Sequence, residues 1–300
     1  MNNSRSAFIA IVGKPNVGKS SILNRILGQK IAIVSKKPQT TRTRILGVLT
    51  KDETQLVFTD TPGLHKPKTE LGKYMVRSIA DAVSDVDACL MVVEPEGRIN
   101  EAEHDLINRF RQNDIPAILA INKIDTVAEK CALAERIAQF ADLYDFEAIV
   151  PVSARDGNGM AQLEAELMKL AIEGPHFFPD DTLTDQPERV LAAEIIREKL
   201  LRSLSDEIPH GTAVTIEQFH ERENAPITDI IATIFCERES HKGIIIGKGG
   251  TMLKKVGERA RMDLERFFGT KINLQLWVKV KEDWRNREGM LKNFGFTDSE

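Results

Sequence analysis

The chain has 300 residues, 42% hydrophobic and 29% charged, an ordinary globular composition that predicts about two domains, each with its own core. Its three cysteines (Cys89, Cys131, Cys236) lie far apart with no Cys/His cluster, which argues against a disulfide framework or zinc site and fits a reducing cytosol. The formal net charge of −4 hides an asymmetry: Lys242 to Lys292 holds 13 Lys/Arg against 6 Asp/Glu, or +7, leaving −11 elsewhere, so a polyanion partner is expected at that end. No apolar run approaches the ~20 residues of a membrane span, and the polar start Met1–Ser6 shows no signal peptide.

Phe8–Val12 reads as a buried strand and Ser21–Leu27 as a helix stopped near Gly28. Between them runs Gly13-Lys14-Pro15-Asn16-Val17-Gly18-Lys19-Ser20, a phosphate loop of the form G-x-x-x-x-G-K-S in the strand–loop–helix setting it needs. Its backbone N–H groups and the helix N-terminus, with Ser21 in the first turn, suit phosphate oxygens. Lys19 is expected to reach the β- and γ-phosphates and to stabilise charge during transfer, and the Ser20 hydroxyl to bind Mg²⁺.

Further strands are predicted at Ile45–Leu49, Leu56–Asp60, Ala88–Glu94, Ile115–Asn122 and Ala148–Val152. Helices between them imply a mainly parallel sheet covered on both faces, with ligands at the C-terminal strand ends. The polar loop Ile31–Arg44 carries Thr40 and Thr41, either of which offers a hydroxyl to Mg²⁺ and an N–H to a γ-phosphate. Asp60-Thr61-Pro62-Gly63 ends the third strand; Asp60 is placed to hold a Mg²⁺-bound water and Gly63 to bring its N–H to the γ-phosphate. His65 reads as an exposed loop histidine rather than a catalytic base.

Asn122-Lys123-Ile124-Asp125 closes the fifth strand. The Asp125 carboxylate can accept from guanine N1–H and the 2-amino group, a donor pair adenine lacks. Asn122 would tie the base loop to the phosphate loop, the Lys123 stem would stack on the base, and Ser153-Ala154 would offer a backbone N–H to guanine O6. Together these motifs select GTP over ATP. On them, residues 8 to about 172 resemble a translation-factor-type GTPase domain of the ribosome- and RNA-associated subgroup. Within that resemblance Thr41, directly before Arg42, is the switch threonine, with Thr40 as the competing choice. Leu64 stands where Ras-like enzymes carry a water-orienting glutamine, which predicts slow intrinsic hydrolysis. Asn16 matches the asparagine with which some members hold K⁺.

Residues 174–187, with three prolines and an acidic run, read as an inter-domain connection separating domains 1–173 and 188–300. A helix follows from about Glu188, with Ala193, Ile196, Leu200, Leu201 and Leu204 on one face. Strands are expected near Ala213–His220 and Thr228–Arg238. Gly247-Lys248-Gly249-Gly250 then sits between two helices, the second with Val256, Ala260, Leu264, Phe267 and Phe268 on one face. A strand Ile272–Val280 and a basic helix around Trp284–Asn293 close the chain. This order and the G-x-x-G loop (Gly247, Lys248, Gly249, Gly250) fit a type II KH domain that clamps a nucleic-acid backbone, with Ile244, Ile245 and Ile246 either supporting or lining the base groove and Lys248, Lys254 and Lys255 on phosphates.

One GTPase domain followed by one KH domain resembles the Era family over essentially the whole chain. The single phosphate loop excludes the sister family with tandem GTPase domains. The fold class expected is α/β: a Ras-like P-loop NTPase domain followed by an α+β KH domain. A monomeric, cytoplasmic GTP/GDP-binding switch using Mg²⁺ is expected, and the resemblance implies K⁺ as an additional ion. It also implies binding near the 3′ end of 16S ribosomal RNA rather than to DNA, a role in small-subunit assembly, and peripheral contact with the inner face of the cell membrane. The alternative is an RNA chaperone in which GTP is a static ligand.

Overall fold

The computed structural model describes residues 4–63, 69–84, 86–127 and 130–296. Among them, a first unit lies within Met1–Val34, Thr41–Lys66 and Met75–Asp185, and a second within Ser35–Thr40, Pro67–Tyr74 and Gln186–Glu300.

The first unit is built on a seven-stranded sheet: β1 (Arg5–Val12), β2 (Ile45–Lys51), β3 (Thr54–Asp60), β4 (Ala88–Val93), β5 (Ala117–Ile121), β6 (Ala148–Pro151) and β7 (Ile172–Glu173). The order is β2-β3-β1-β4-β5-β6, with β7 added to β1. β2 is antiparallel to β3 and β7 to β1; the other pairs are parallel. The intervening helices are α1 (Lys19–Leu27), α2 (Glu70–Ser84), α3 (Glu101–Gln112), α4 (Lys130–Ala141) and α5 (Met160–Lys169). The six residues of β4 are all buried, as a strand covered on both faces requires. Cys89, Met91, Val93, Leu119 and Ile121 pack there against Leu106, Phe110 and Phe140. The parallel register aligns the strand ends that matter. Ile11 lies beside Asp60, Val93 beside Ile121, and Ile121 beside Pro151. The loops after β1, β3, β5 and β6 therefore emerge side by side.

Much of the stretch expected to be an inter-domain connection is laid on the first unit, where Phe177 and Phe178 are packing positions. The buried Gln55 side chain accepts from the Phe177 and Phe178 N–H groups (2.8 and 3.0 Å) and donates to the Phe178 carbonyl (2.9 Å). Phe177 packs on Phe8, with ring centroids 4.6 Å apart. Farther along, Val48 N–H donates to the Leu183 carbonyl, and the Thr184 hydroxyl to that of Leu46. The division between units accordingly falls after Asp185. Strand β7, two residues long, lies below the length that periodicity detects.

The second unit contains α6 (Glu188–Ser203), β8 (Ala213–Glu221), β9 (Ile227–Cys236), α7 (Glu239–Ile246), α8 (Thr251–Phe268), β10 (Lys271–Val280) and α9 (Glu288–Asn293). Its sheet runs β10-β9-β8, with β9 parallel to β10 and antiparallel to β8. Ile195, Ile196, Ile230, Ala260, Leu264 and Ile272 form one core cluster. The single apolar face expected for α6 is corrected. It contacts both β8 and α8, so burial runs nearly round it and takes in Arg197, Glu198 and Lys199, while Ala193 is only half-buried. Lys199 is held between Glu198 (2.7 Å) and Asp263, which keeps the buried charges paired. The terminal segment is a short turn Trp284–Asn286 followed by α9; Trp284 is fully buried and its indole N–H donates to the Gly211 carbonyl (2.9 Å).

Candidate functional site

The phosphate loop turns out of β1 and α1 starts at Lys19. Gly18 caps that helix in the left-handed region (φ 103°), and a Cβ there would lie 2.1 Å from Asn122 Nδ2. That crowding has a use: the same Nδ2 donates to the Val17 carbonyl (2.8 Å), tying the loop after β5 to the phosphate loop. Lys14 reaches Glu103 (2.6 Å) and the Arg98 carbonyl (3.2 Å). Gly63 lies against Pro15, with Pro15 Cα 2.6 Å from where a Gly63 Cβ would stand.

Lys19 is buried and donates to the Gly13 and Lys14 carbonyls, both at 3.0 Å. Desolvation pushes its ammonium down to about 8, partly offset by the charge of Asp60. Burial likewise pushes the Asp60 carboxyl up to about 6, against the opposing influence of Lys19, Ser20 and Thr41. Burial penalises the charged form of each group, and the pair offsets only part of that penalty. Such a site is completed by ions of its own.

Three oxygens converge beside Lys19. Ser20 Oγ donates to Asp60 Oδ2 (2.6 Å) and lies 3.0 Å from Thr41 Oγ1, which is 3.4 Å from the same Oδ2. Asp60 Oδ1 is buried without a hydrogen-bond partner. Two hydroxyls and a carboxylate with one oxygen still unpartnered are a hard donor set that fits Mg²⁺, which takes one or two carboxylates and keeps waters. Thr40 takes no part: its hydroxyl donates to the Lys37 carbonyl (2.6 Å) and meets Ser35 Oγ (2.7 Å). Thr61 donates to the Ile11 carbonyl (2.8 Å), and Pro62 is buried beside it. Leu64 and His65 lie outside the described residues.

At the base-recognition end, Asp125 is fixed from two sides, by Ser153 Oγ (2.7 Å) and by Arg155 (3.2 Å). Sequence reasoning used Ser153 only for its backbone N–H and passed over Arg155, although it directly follows Ser153-Ala154. Lys123 adopts a left-handed backbone (φ 69°) and its ammonium donates to the Asn16 carbonyl (2.6 Å) and Glu94 (2.5 Å). The expectation of an available N–H at Ser153-Ala154 meets an obstacle. Ser153 N–H donates to the Asn158 carbonyl (2.9 Å), and Ala154 N–H to Asn122 Oδ1 (3.0 Å). Contact of either amide with guanine O6 requires exchange of one of these bonds. Val17, Ser21 and Ile124 stand around these loops as backbone and packing positions.

The second site is the loop joining α7 and α8. Gly247 takes φ 75° and ψ 170°, and a Cβ on it would lie 2.8 Å from Met252 Cβ, so the tight entry demands glycine. Lys248 and Gly249 are exposed and Gly250 half-buried; Lys254 and Lys255 are exposed on the first turns of α8. Of the two roles open to Ile245, contact with RNA is corrected and support stands: it is fully buried, packed with Leu200, Ile234 and Val256, and offers nothing to a ligand. The helical phase of α7 turns Ile244 outward instead, at 49% exposure, with Ile246 between the two.

Comparison with known proteins covers both sites. A family described as 50S ribosome-binding GTPase matches residues 8–123, and the KH domain family matches residues 207–285. GTPase Era of Ruminiclostridium cellulolyticum is 50% identical over 292 residues, 97% of each chain. GTPase Era of Clostridioides difficile is 50% identical over 294 residues, 98% of this chain and 99% of that one. A variant of Aquifex aeolicus Era bound to GDP–AlF4⁻ superposes with a TM-score of 0.93 at 37% identity, covering 98% of this chain and all of that one. An Era structure with MgGDPNP and nucleotides 1506–1542 of 16S ribosomal RNA matches with a TM-score of 0.93 at 38% identity and the same coverage.

Proposed function

The chain belongs to the Era family of GTPases and hydrolyses GTP, and from that premise we propose that its nucleotide state governs how its KH domain binds small-subunit ribosomal RNA during subunit assembly. What carries the RNA reading is the exposed, cationic glycine loop between α7 and α8. A relative of the same two-domain build holds a 16S fragment, nucleotides 1506–1542.

In this reading Lys19 gives up the Gly13 and Lys14 carbonyls for the β- and γ-phosphates. Ser20 and Thr41 place Mg²⁺, with Asp60 acting through a water, and the ion supplies charge neutralisation between phosphate oxygens. The phosphate-loop amides and Lys19 stabilise charge as the γ-phosphoryl leaves. Gly63, pressed on Pro15, brings its N–H toward the γ-phosphate. Asp125, already aimed by Ser153 and Arg155, reads guanine. K⁺ held beside Asn16 is a further proposed ion, and faster turnover in K⁺ than in Na⁺ is its signature. Peripheral membrane contact is proposed on the family resemblance; no helix among the described residues is long and apolar enough to cross a membrane.

The deciding experiment is RNA affinity at fixed salt with GTP analogue, GDP and no nucleotide, using fragments from the 3′ end of small-subunit RNA. Tight binding with the triphosphate alone is expected, and the ratio of affinities is the coupling energy. Equal binding in all three states overturns the switch and favours the chaperone with a static nucleotide.

A further inference from the structure

The chain has two tryptophans, and they differ in kind. Trp284 is fully buried with its N–H satisfied, a core residue. Trp277 is 59% exposed, and no ring of the described residues contacts it. A large aromatic left in water without a packing role is the type of residue that marks a binding surface.

Its position is specific. Trp277 lies on β10, an edge strand paired only with β9. Leu274, Leu276 and Val278 point to the face covered by α7 and α8, the helices that carry the glycine loop. The alternate residues Asn273, Gln275, Trp277 and Lys279 are exposed on the opposite face. The chemistry of that face is polar and cationic around one indole. Asp229 on β9 is neutralised there by Arg222 (2.7 Å through both nitrogens), and with the Asn273 amide this holds its carboxyl down at about 2. Lys271 and Lys279 have no ion-pair partner among the described residues.

We propose that Trp277 is a second nucleobase position, lying across the β10 edge from the glycine loop: an unpaired RNA base stacks on the indole and Lys279 holds an adjoining phosphate. This rests on the RNA-binding reading above and extends it to a face the glycine loop does not reach. Stacking on an exposed ring accepts any base, and the flanking cation supplies the backbone contact. One ring among amides and lysines is too small and too polar for the apolar centre of a protein interface, which buries about 800 Å² per partner.

The test uses the full chain loaded with GTP analogue and the 16S fragment, nucleotides 1506–1542. Trp277→Ala is expected to weaken binding about fivefold to 150-fold with an unchanged salt slope, because no phosphate contact is lost. Trp277→Phe retains most of the affinity. Lys279→Ala lowers the slope by about 0.7, the single-strand value for one phosphate. RNA trimmed stepwise from each end loses its sensitivity to Trp277→Ala once the stacked nucleotide is gone. A second readout needs no affinity: RNA quenches tryptophan emission of the parent but not of Trp277→Phe, whose remaining indole is buried. Unchanged affinity and unquenched emission, in a parent that binds RNA and loses it on Lys248→Glu, overturn this proposal alone. A parent that binds no RNA overturns the RNA-binding reading itself.

Discussion

At the scale of single residues, the nucleotide site rests on close approach. Gly18 exists because Asn122 occupies the space its side chain would need. Gly18→Ala therefore both strains a left-handed backbone and displaces Asn122, at a cost of about 1–3 kcal/mol or more. GDP titration should give at least tenfold weaker binding, and parent-like affinity would show that Asn122 moves aside freely. The two adjacent threonines divide in the same way. Thr41 faces Ser20 and Asp60, whereas Thr40 is spent on its own loop. Thr41→Ala should lower saturated turnover roughly tenfold to a hundredfold, the worth of a contact to a charged group; Thr40→Ala should stay near the parent rate. Equal losses would remove Thr41's special place. Residue type alone proposes both threonines; the family resemblance favoured Thr41 through its neighbour Arg42, and the hydroxyl partners, which depend on loop geometry, separate the two. Ile245 and Ile244 were likewise indistinguishable as strings; only the phase of α7 sends one inward. The engagement of both amides at Ser153-Ala154 had no sequence signal, since every residue but proline carries the same N–H.

At the scale of elements, the strands and helices were legible where they were long and periodic. The Phe8–Val12 strand and α8 follow directly from apolar pattern. Residues 174–185 were not, because composition cannot distinguish a loose connector from one tied down by side chains elsewhere in the chain. Gln55, 122 residues from Phe177, supplies that tie. A fully buried amide whose oxygen accepts from two remote backbone N–H groups, and whose nitrogen donates to the Phe178 carbonyl and the Thr50 hydroxyl, is an anchor. Gln55→Ala leaves two N–H groups and a carbonyl unmatched, and about 3 kcal/mol of stability should be lost. A fall in melting temperature and faster proteolysis within 174–185 would register it; an unchanged melt would mean that water replaces the amide. The charged turn of α6 was equally hidden. Glu198, Lys199 and Asp263 form a buried ion group whose members come from separate helices.

At the scale of the whole molecule, the two-domain plan was readable because each half announces itself by a glycine loop in the right setting. The charge distribution was readable too, since it needs only counting. The excess of +7 between Lys242 and Lys292 spans the glycine loop, α8 and β10. RNA affinity should therefore fall steeply with salt, by about 0.7 in log–log slope for each phosphate neutralised on a single strand. A slope near zero would mean that these cations are solvated and idle. The grouping of Ser35–Thr40 with the second unit was not readable, because it departs from the order of the chain.

The dryness of Lys19 has a calorimetric consequence. Its ammonium, pushed down to about 8, is only about half charged at pH 8 in the empty site. Arriving phosphates supply the anionic neighbours that its burial denied it, and they restore the ordinary basicity. Nucleotide binding near pH 8 must then draw about half a proton from the buffer. Titration heats measured in buffers of different ionisation enthalpy should diverge at that pH, and should come closest near pH 7, where Lys19 is mostly charged and the Asp60 carboxyl, held up at about 6, is mostly ionised. Identical heats at pH 8 would mean that the lysine keeps its proton throughout. Divergent ones would make the medium a stoichiometric participant in loading the switch.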